Sequence, residues 1–286
     1  MSTSSQGKTI VITGCSSGFG RQTALHLAQG GWQVFATLRQ ASDQADLLAE
    51  STRQSCQQYL TPVICDITRP EQVAALAQTV STVTSHLDAL LNNAGTAFGA
   101  PLELLALDDL RAQFEVNTVA QLGVIQAFLP LLKAARGVII NVSSLSGRIA
   151  FPLMGAYSAS KFALEALSDA LRVELAPFAV QVVLIEPSSS PTGIWRTSSS
   201  RAAVKLDEHR DGPYAPLLSV FEKIATRSSQ VGFPPQLFAE TVESILTTRR
   251  PRSRYIIPLS ARLEIFLRRM LPDRLWDNQV RRALKW

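Results

Sequence analysis

Short apolar runs alternate with longer amphipathic stretches over most of the chain. Runs of strand length occur at 8–13, 32–38, 60–65, 89–92, 137–143, 180–186 and 254–257. Several are almost continuous Val, Ile and Leu, as is typical of parallel strands covered by helices on both faces. Helical patterns fill the intervals at about 20–29, 43–54, 70–85, 108–134 and 156–177. This order predicts an α/β fold with a doubly wound parallel sheet.

The last third of the chain departs from the alternation. Residues 188–232 are rich in Ser, Pro and charge, which predicts a mobile substrate loop or lid. A helix with proline in its first turn follows from 234, and 258–286 have the pattern of a basic C-terminal tail. With no internal repeat, we expect a single domain over 1–286.

The positive charge is concentrated in this tail. Apolar residues make up 46% of the 286 residues and charged residues 18%, which predicts a large core and excludes a disordered chain. Residues 249–286 contain eleven Arg and Lys against three Asp and Glu. No nucleic-acid-binding motif accompanies them, so no nucleic-acid partner is expected. The interleaved apolar residues would instead suit peripheral contact with an anionic membrane.

Cysteine usage and the N-terminus indicate the compartment. Cys15, Cys56 and Cys65 form no CxxC pair, which predicts reduced thiols and no metal site. The N-terminal MSTSSQGK lacks the apolar core of a signal peptide, and the longest uncharged run, 116–132, contains polar residues. We therefore expect a cytoplasmic protein, with peripheral membrane association as an additional option.

A glycine-rich turn follows the first apolar run. The sequence TGCSSGFGR at 13–21 places Gly14, Gly18 and Gly20 between a strand and a helix. Glycine lets a phosphate approach the main-chain N–H groups at the start of a helix. A tight loop without a ligand is the alternative, because the spacing differs from GxGxxG.

Tyr157 and Lys161 lie four residues apart in a helical pattern. Residues at this spacing share one face of a helix. A lysine whose stem covers an aromatic core residue is the alternative. Ser144, thirteen residues before Tyr157, ends a predicted strand and adds a hydroxyl group nearby.

Five motifs in order resemble the classical short-chain dehydrogenase/reductase family. They are the glycine turn, NNAG at 92–95, the asparagine of VNT at 116–118, NVSS at 141–144 and YSASK at 157–161. The resemblance covers roughly residues 8–193. It implies a Rossmann-like fold and hydride transfer between a nicotinamide cofactor and an alcohol or carbonyl.

The resemblance implies a catalytic set of four residues. Tyr157 would be the general acid/base, and Ser144 would hold the substrate oxygen. Lys161 would lower the pKa of the tyrosine, because an ammonium favours the phenolate, and would bind the nicotinamide ribose. Asn117 would position a water that relays protons.

The implied cofactor site is larger. It comprises Gly14, Ser16, Ser17, Gly18, Phe19, Gly20, Arg39, Asp66, Ile67, Asn93, Ala94, Gly95, Tyr157, Lys161, Pro187 and Thr192. Arg39 stands near the end of the second strand, where an acidic residue would bind a ribose 2′-hydroxyl, so NADP(H) is favoured and NAD(H) is the alternative. Asp66 would lie near the adenine amino group, or cap the following helix. Asn93, Ala94 and Gly95 would border the adenine ribose.

Longer stretches are especially similar to 17β-hydroxysteroid and retinol dehydrogenases, among them VITGCSSGFGR and YSASKFALEALSDALRVEL. This similarity implies an apolar steroid-, retinoid- or lipid-like alcohol or ketone. Candidates for its wall, or for ordinary packing, are Phe151, Met154, Trp195, Tyr214, Phe221 and Phe233.

The resemblance also bears on assembly and on a rival function. Helices at 108–134 and 156–177 commonly form the subunit interface in this family, which implies a homodimer or homotetramer. Ser188 stands where the family usually has glycine. This departure leaves open a catalytically weak nucleotide-binding regulator or scaffold with the same fold.

Overall fold

A seven-stranded parallel sheet forms the centre of the molecule. The computed structural model describes residues 7–190, 212–284 and 286, except for several side chains within 221–229. The strands are β1 Thr9–Ile12, β2 Gln33–Leu38, β3 Leu60–Ile64, β4 Ala89–Asn92, β5 Val138–Val142, β6 Gln181–Pro187 and β7 Arg254–Ile257. They pair in the order β3-β2-β1-β4-β5-β6-β7, all parallel. The doubly wound, Rossmann-like prediction is confirmed.

Helices connect the strands across both faces of the sheet. They are α1 Gly18–Gln29, α2 Ala41–Arg53, α3 Pro70–Val83, α4 Leu107–Phe114, α5 Ala120–Ala135, α6 Gly155–Glu174, α7 Ala215–Gln230, α8 Pro235–Thr247, α9 Arg262–Met270 and α10 Asp273–Leu284. The helix predicted at 108–134 is divided by a π-helical segment, Glu115–Val119.

Alternate residues of each strand pack into two separate apolar cores. Ile10 and Ile12 of β1 belong to the core that includes Phe238 of α8, whereas Val11 belongs to the core that includes Phe128 of α5. Successive side chains of a strand point to opposite faces, so a sheet covered on both sides needs apolar residues at nearly every position. This requirement explains the continuous apolar runs in the sequence.

The sheet reverses its strand order between β1 and β4. The chain builds outward to β2 and β3 on one side and to β5, β6 and β7 on the other. Such a reversal leaves a crevice at the carboxyl ends of the central strands, because the connecting loops diverge there. The turn after β1 and the loop after β4 therefore face the same crevice.

By length and composition alone, the run Leu107–Ala135 could cross a membrane; the mean hydropathy of its most apolar window is 1.4. Four of its side chains, Val124, Ile125, Phe128 and Leu132, are buried in the core beneath the sheet. Core packing therefore accounts for much of its apolar character.

The C-terminal part of the chain is folded onto the domain. The predicted substrate loop includes 191–211, which lie outside the described residues, and it also contains the whole of α7, so this part is helical and not a loop. The predicted basic tail forms α9 and α10. Leu284 of α10 packs against Leu153 and two leucines of α7. The tail is therefore part of the wall of the domain.

We expect Phe128→Ala to lower the free energy of unfolding by about 3–5 kcal/mol, because it leaves a cavity in the core beneath the sheet. The control is Val83→Ala on α3, whose valine is 64% exposed, with an expected change of about 0.5 kcal/mol or less. Urea denaturation measures both. Equal losses in the two variants would contradict the assignment of this core.

Candidate active site

A cleft of about 1620 Å³ runs along the carboxyl ends of the strands. The loops after all seven strands contribute to its wall. The predicted site residues on this wall are Gly14, Ser16, Ser17, Gly18, Phe19, Arg39, Asp66, Ile67, Asn93, Ala94, Gly95, Ser144, Tyr157, Lys161 and Pro187. Gly20 and Asn117 lie behind the wall, and Thr192 lies outside the described residues.

The glycine turn requires glycine for steric reasons. Gly14 and Gly18 have φ angles of +73° and +57°, in the left-handed region. A Cβ atom on Gly14 would lie 2.8 Å from the Cα of Ala94, and one on Gly20 would collide with the carbonyl oxygen of Gly14. The turn is therefore packed tightly against both the β4 loop and its own helix.

The start of α1 has the form of an anion-binding site. Ser17 is the N-cap residue, yet its side chain makes no capping hydrogen bond. The N–H groups of the first helical turn have no partner within the helix, and the helix dipole favours negative charge there. Gly18, Phe19 and this serine all line the cleft. The residues present therefore fit the pyrophosphate of a dinucleotide.

Hydrogen bonds between two loops hold the glycine turn in place. Thr13 Oγ1 accepts from the N–H groups of Asn93 (2.9 Å) and Ala94 (3.0 Å). The side-chain Nδ2 of Asn93 donates to the carbonyl oxygens of Thr13 (2.8 Å) and Gly14 (3.0 Å). The Asn93 amide group is thus committed to shaping the turn. Sequence analysis did not single out Thr13, although a threonine ending a buried strand was a usable signal.

The far rim of the cleft carries charge of both signs. Arg39, exposed just after β2, lines it together with Asp43 of α2. Asp43 belongs to none of the motifs that predicted the site. Asp66 Oδ1 accepts from the N–H (3.0 Å) and the hydroxyl (2.8 Å) of Thr68, which makes it a turn-forming residue. Asp66 is not the N-cap residue of α3, because Arg69 occupies that position.

Tyr157, Ser144 and Lys161 converge at the other end of the cleft. Ser144 begins a short 3₁₀ turn after β5 and accepts a hydrogen bond from the N–H of Ser146 at 3.1 Å. Its hydroxyl is near enough to the Tyr157 phenol to lower the pKa of that phenol. The Nζ of Lys161 lies 5.9 Å from the centre of the tyrosine ring and donates to the carbonyl oxygen of Val142 at 2.8 Å. The three groups predicted from sequence are therefore together.

Burial controls the protonation of this group. It raises the pKa of Tyr157, while the Ser144 hydroxyl acts in the opposite direction. It lowers the pKa of Lys161 to about 8, and the charge of Glu165 partly opposes this. At pH 7 the tyrosine is therefore a protonated phenol, and the lysine is mostly an ammonium ion.

A partly buried ionic cluster lies behind the lysine. Arg254 of β7 donates to Glu165 Oε2 (3.1 Å) and Asp169 Oδ2 (2.7 Å) of α6. Arg148 and Arg254 both contact Glu186 Oε1 at 3.1 Å. Burial, followed by repulsion from Glu165, raises the pKa of Glu186 to about 7. Sequence analysis missed this cluster, because its members come from four distant segments.

Asn117 lies in the π-helical segment and is fully buried. Its Oδ1 accepts from the N–H of Thr96 at 2.9 Å, and its Nδ2 donates to the carbonyl oxygen of Thr96 (2.9 Å) and to Ser160 Oγ (3.0 Å). Both amide hydrogens are thus used to tie the β4 loop to α6. The water-positioning role that the resemblance implies stays a prediction.

Ser188 does not strain the loop after β6. Its backbone is not among the residues with a left-handed φ, so a glycine is not required there. Its N–H donates to the carbonyl oxygen of Ile257 at 2.7 Å and extends the pairing of β6 with β7. Pro187 lies on the cleft wall beside it.

Apolar side chains line the part of the cleft beyond the tyrosine. Phe151, Met154 and Phe233 belong to this wall. Tyr214 instead stacks on Trp286 at 5.6 Å and donates to Glu103 at 2.6 Å. Trp195 and the side chain of Phe221 lie outside the description.

The C-terminal helices complete the wall. Trp276, Val280 and Leu284 of α10 and Glu264 of α9 line the cleft. The three α10 residues are four positions apart and therefore share one helix face. Sequence analysis missed them, although this spacing was a signal that the tail is helical.

Comparison with known proteins identifies the family. The family described as short chain dehydrogenase matches residues 8–203. The chain belongs to the short-chain dehydrogenase/reductase family.

Among its relatives, this dehydrogenase/reductase is 38% identical to retinol dehydrogenase 5 of Mus musculus over 279 residues, covering 94% of the chain and 86% of the relative. A short-chain dehydrogenase/reductase of Burkholderia phymatum solved with NAD has a TM-score of 0.81 at 24% identity, with 93% of this chain and 94% of that chain covered. The Pseudomonas aeruginosa RhlG/NADP complex has a TM-score of 0.71 at 27% identity, with 89% and 95% covered. The predicted family is confirmed, and a nicotinamide nucleotide is the supported cofactor class.

We expect Gly20→Ala to weaken dinucleotide binding by about tenfold or more, because the added Cβ displaces the turn that would hold the pyrophosphate. The matched control is Gly123→Ala on α5, where a Cβ would meet no atom within 4 Å. Calorimetric titration with NADPH and NADH measures both variants, and circular dichroism checks their folding. Unchanged affinity in the folded Gly20 variant would contradict the proposed cradle.

Proposed function

We propose that this protein interconverts an apolar alcohol and its carbonyl by NADP(H)-dependent hydride transfer, with Tyr157 as general acid/base. The convergence of Tyr157, Ser144 and Lys161 at the end of a cleft that begins at the glycine turn carries the proposal. Family membership supports the reaction class.

The described part of the cleft offers groups for each part of the cofactor. The glycine turn and the start of α1 would hold the pyrophosphate, Arg39 would face the adenosine ribose, and Lys161 would bind the nicotinamide ribose. When bound, a nicotinamide dinucleotide supplies the hydride in reduction and accepts it in oxidation. A Cβ on Gly95 would lie 3.8 Å from the Nζ of Lys161, so the β4 loop and the lysine are close together in the cleft.

The proton is handled by Tyr157 and Ser144. Because burial raises the pKa of Tyr157, its phenol carries a proton at neutral pH and can donate it to a carbonyl oxygen during reduction. In oxidation the phenolate form of the same side chain takes the proton from the alcohol. Ser144 hydrogen-bonds the substrate oxygen beside it, and the ammonium of Lys161 stabilises the phenolate that donation leaves behind.

Arg39 supports a preference for NADP(H). A guanidinium group forms paired hydrogen bonds with a phosphate, and no acidic residue occupies the end of β2. Asp43 on the same rim would repel a 2′-phosphate. NAD(H) is therefore the alternative cofactor, and kinetic measurements with both cofactors decide between them.

The apolar wall supports a steroid-, retinoid- or lipid-like substrate. Phe151, Met154, Phe233, Trp276 and Val280 present rings and aliphatic groups to the cleft. Apolar area removed from water is worth about 25 cal/mol per Å², so such a wall favours bulky hydrocarbon over small polar substrates. One relative has the name retinol dehydrogenase 5, and retinol is an apolar alcohol.

Assembly and location remain proposals. Val119, Phe162 and Val173, on the π-helical segment and α6, are 56%, 44% and 71% exposed, which favours the expected homodimer or homotetramer through these helices. A cytoplasmic location stays a prediction. The rival scaffold function rested on Ser188, whose unstrained backbone gives it no support.

We expect Tyr157→Phe to lower turnover by about 10²–10⁴-fold, because the ring remains but the transferable proton is removed. Dinucleotide affinity should change little. Tyr59→Phe, before β3 and outside the cleft, is the control. Turnover of an apolar ketone is followed by NADPH absorbance. Normal turnover in the Tyr157 variant would refute the catalytic assignment.

We expect Arg39→Ala to raise the KM for NADPH by about tenfold while the KM for NADH stays nearly constant, since one charge-assisted contact to a phosphate contributes about 1.5–3 kcal/mol. Arg53→Ala, at the end of α2 and paired with Glu50, is the control. Initial rates with each cofactor give the ratio. Parallel changes in both KM values would remove the basis for the NADP(H) preference.

A further inference from the structure

Helix α9 turns an apolar stripe toward solvent. Leu263, Phe266, Leu267 and Met270 are spaced three and four residues apart, so they share one helix face. They are 62%, 59%, 44% and 65% exposed. We call these four residues the α9 stripe. No residue of α9 is buried, so the stripe contributes nothing to the core of the domain.

The exposed apolar surface continues before the first residue of the helix. Leu259, in the turn that precedes α9, lies four residues before Leu263 and is 65% exposed. Ile265, on the opposite side of α9, is half-buried. On the side of α9 that faces the domain, the apolar residue is Ile265. The α9 stripe lies on the side that faces solvent. This is the reverse of the arrangement that stabilises a surface helix of a water-exposed domain.

Cationic side chains border the stripe. Arg262 and Arg269 are exposed and lie along one edge of it, and α10 carries exposed Arg274, Arg281 and Arg282. Asp273, one of the three acidic residues of α9 and α10, is paired with Arg268 at 2.7 Å. A long arginine can lay its stem on apolar surface while its head reaches an anionic group. The surface therefore combines apolar depth with excess positive charge.

The same helices form part of the cleft wall. Glu264 of α9 and Trp276 of α10 line the cleft, and Arg268 lies over the Trp276 ring at 5.7 Å. The α9 stripe is thus on the outer side of the wall whose inner side faces the substrate. Whatever covers the stripe therefore lies against a helix that also lines the cleft.

We propose that α9 and α10 dock on an anionic lipid membrane, with the α9 stripe inserted among the lipids and the cleft mouth held at the membrane surface. An apolar stripe bordered by arginines matches acyl chains beneath anionic headgroups. A second copy of this chain fits less well, because the centres of protein interfaces are depleted of charge and the like-charged arginines would face each other. Entry of substrate directly from the membrane rests on the proposed function; docking itself does not.

Vesicle sedimentation with the full-length protein tests the docking. The vesicles are phosphatidylcholine alone or phosphatidylcholine with phosphatidylserine. We expect binding to the anionic vesicles only, and weaker binding at raised salt. Leu263→Ser/Phe266→Ser should lower the partition coefficient by about tenfold or more, because the inserted area is lost. The matched control, Leu48→Ser/Val83→Ser, removes exposed apolar residues of α2 and α3 and should bind like the unaltered chain.

Further variants separate the possible outcomes. Arg262→Gln and Arg269→Gln should each weaken binding about fivefold, the effect of one basic residue near an anionic surface. Tyr157→Phe should bind vesicles normally, so failure of the proposed chemistry leaves this test intact. No vesicle binding, or equal binding by the stripe variant, would overturn the proposal. Loss of a dimer in the stripe variant, seen by light scattering without vesicle binding, would assign the stripe to a second copy instead.

Discussion

The burial of one ammonium group organises the candidate active site. Lys161 projects from α6 into a region where burial lowers its pKa to about 8, and a charge so placed needs nearby acceptors. The carbonyl oxygen of Val142, at the end of β5, supplies one hydrogen bond at 2.8 Å. Glu165, one turn further along α6, supplies negative charge. The position of α6 over the sheet is therefore tied to the charge it carries.

The remaining groups of the site depend on that position. Tyr157 lies one turn before the lysine, so fixing one side chain fixes the direction of the other. Asn117 bonds both to Thr96 and to Ser160 of α6, which sets the separation between the β4 loop and this helix. Asn117 lies in a π-helical segment, and such segments often occur at functional sites.

Much of this organisation follows from local patterns in the sequence. Continuous apolar runs located all seven strands, because a sheet covered on both faces requires them. The glycine spacing located the turn after β1, because a Cβ at Gly14 or Gly20 would clash. The four-residue separation of Tyr157 and Lys161 placed both on one helix face. In each case a few neighbouring residues contain the whole physical reason.

Other features depend on residues far apart in the chain. Thr13 meets Asn93 across 80 positions, and Arg254 meets Glu165 across 89. No local periodicity records such a contact. The face that α10 presents to the cleft was missed for a related reason: its basic residues suggested a free tail, and its four-residue apolar spacing was weak beside them.

Arg254 gives the final strand a significance beyond closing the sheet. The family match ends at residue 203, yet this arginine, fifty-one positions later, pairs with carboxylates on α6 and β6 behind Lys161. A ribosome releases the N-terminal part of the chain first. An emerging polypeptide therefore contains the glycine turn, Tyr157 and Lys161 long before it contains Arg254. The charges of Glu165 and Glu186 therefore meet this partner only when the last strand joins the edge of the sheet.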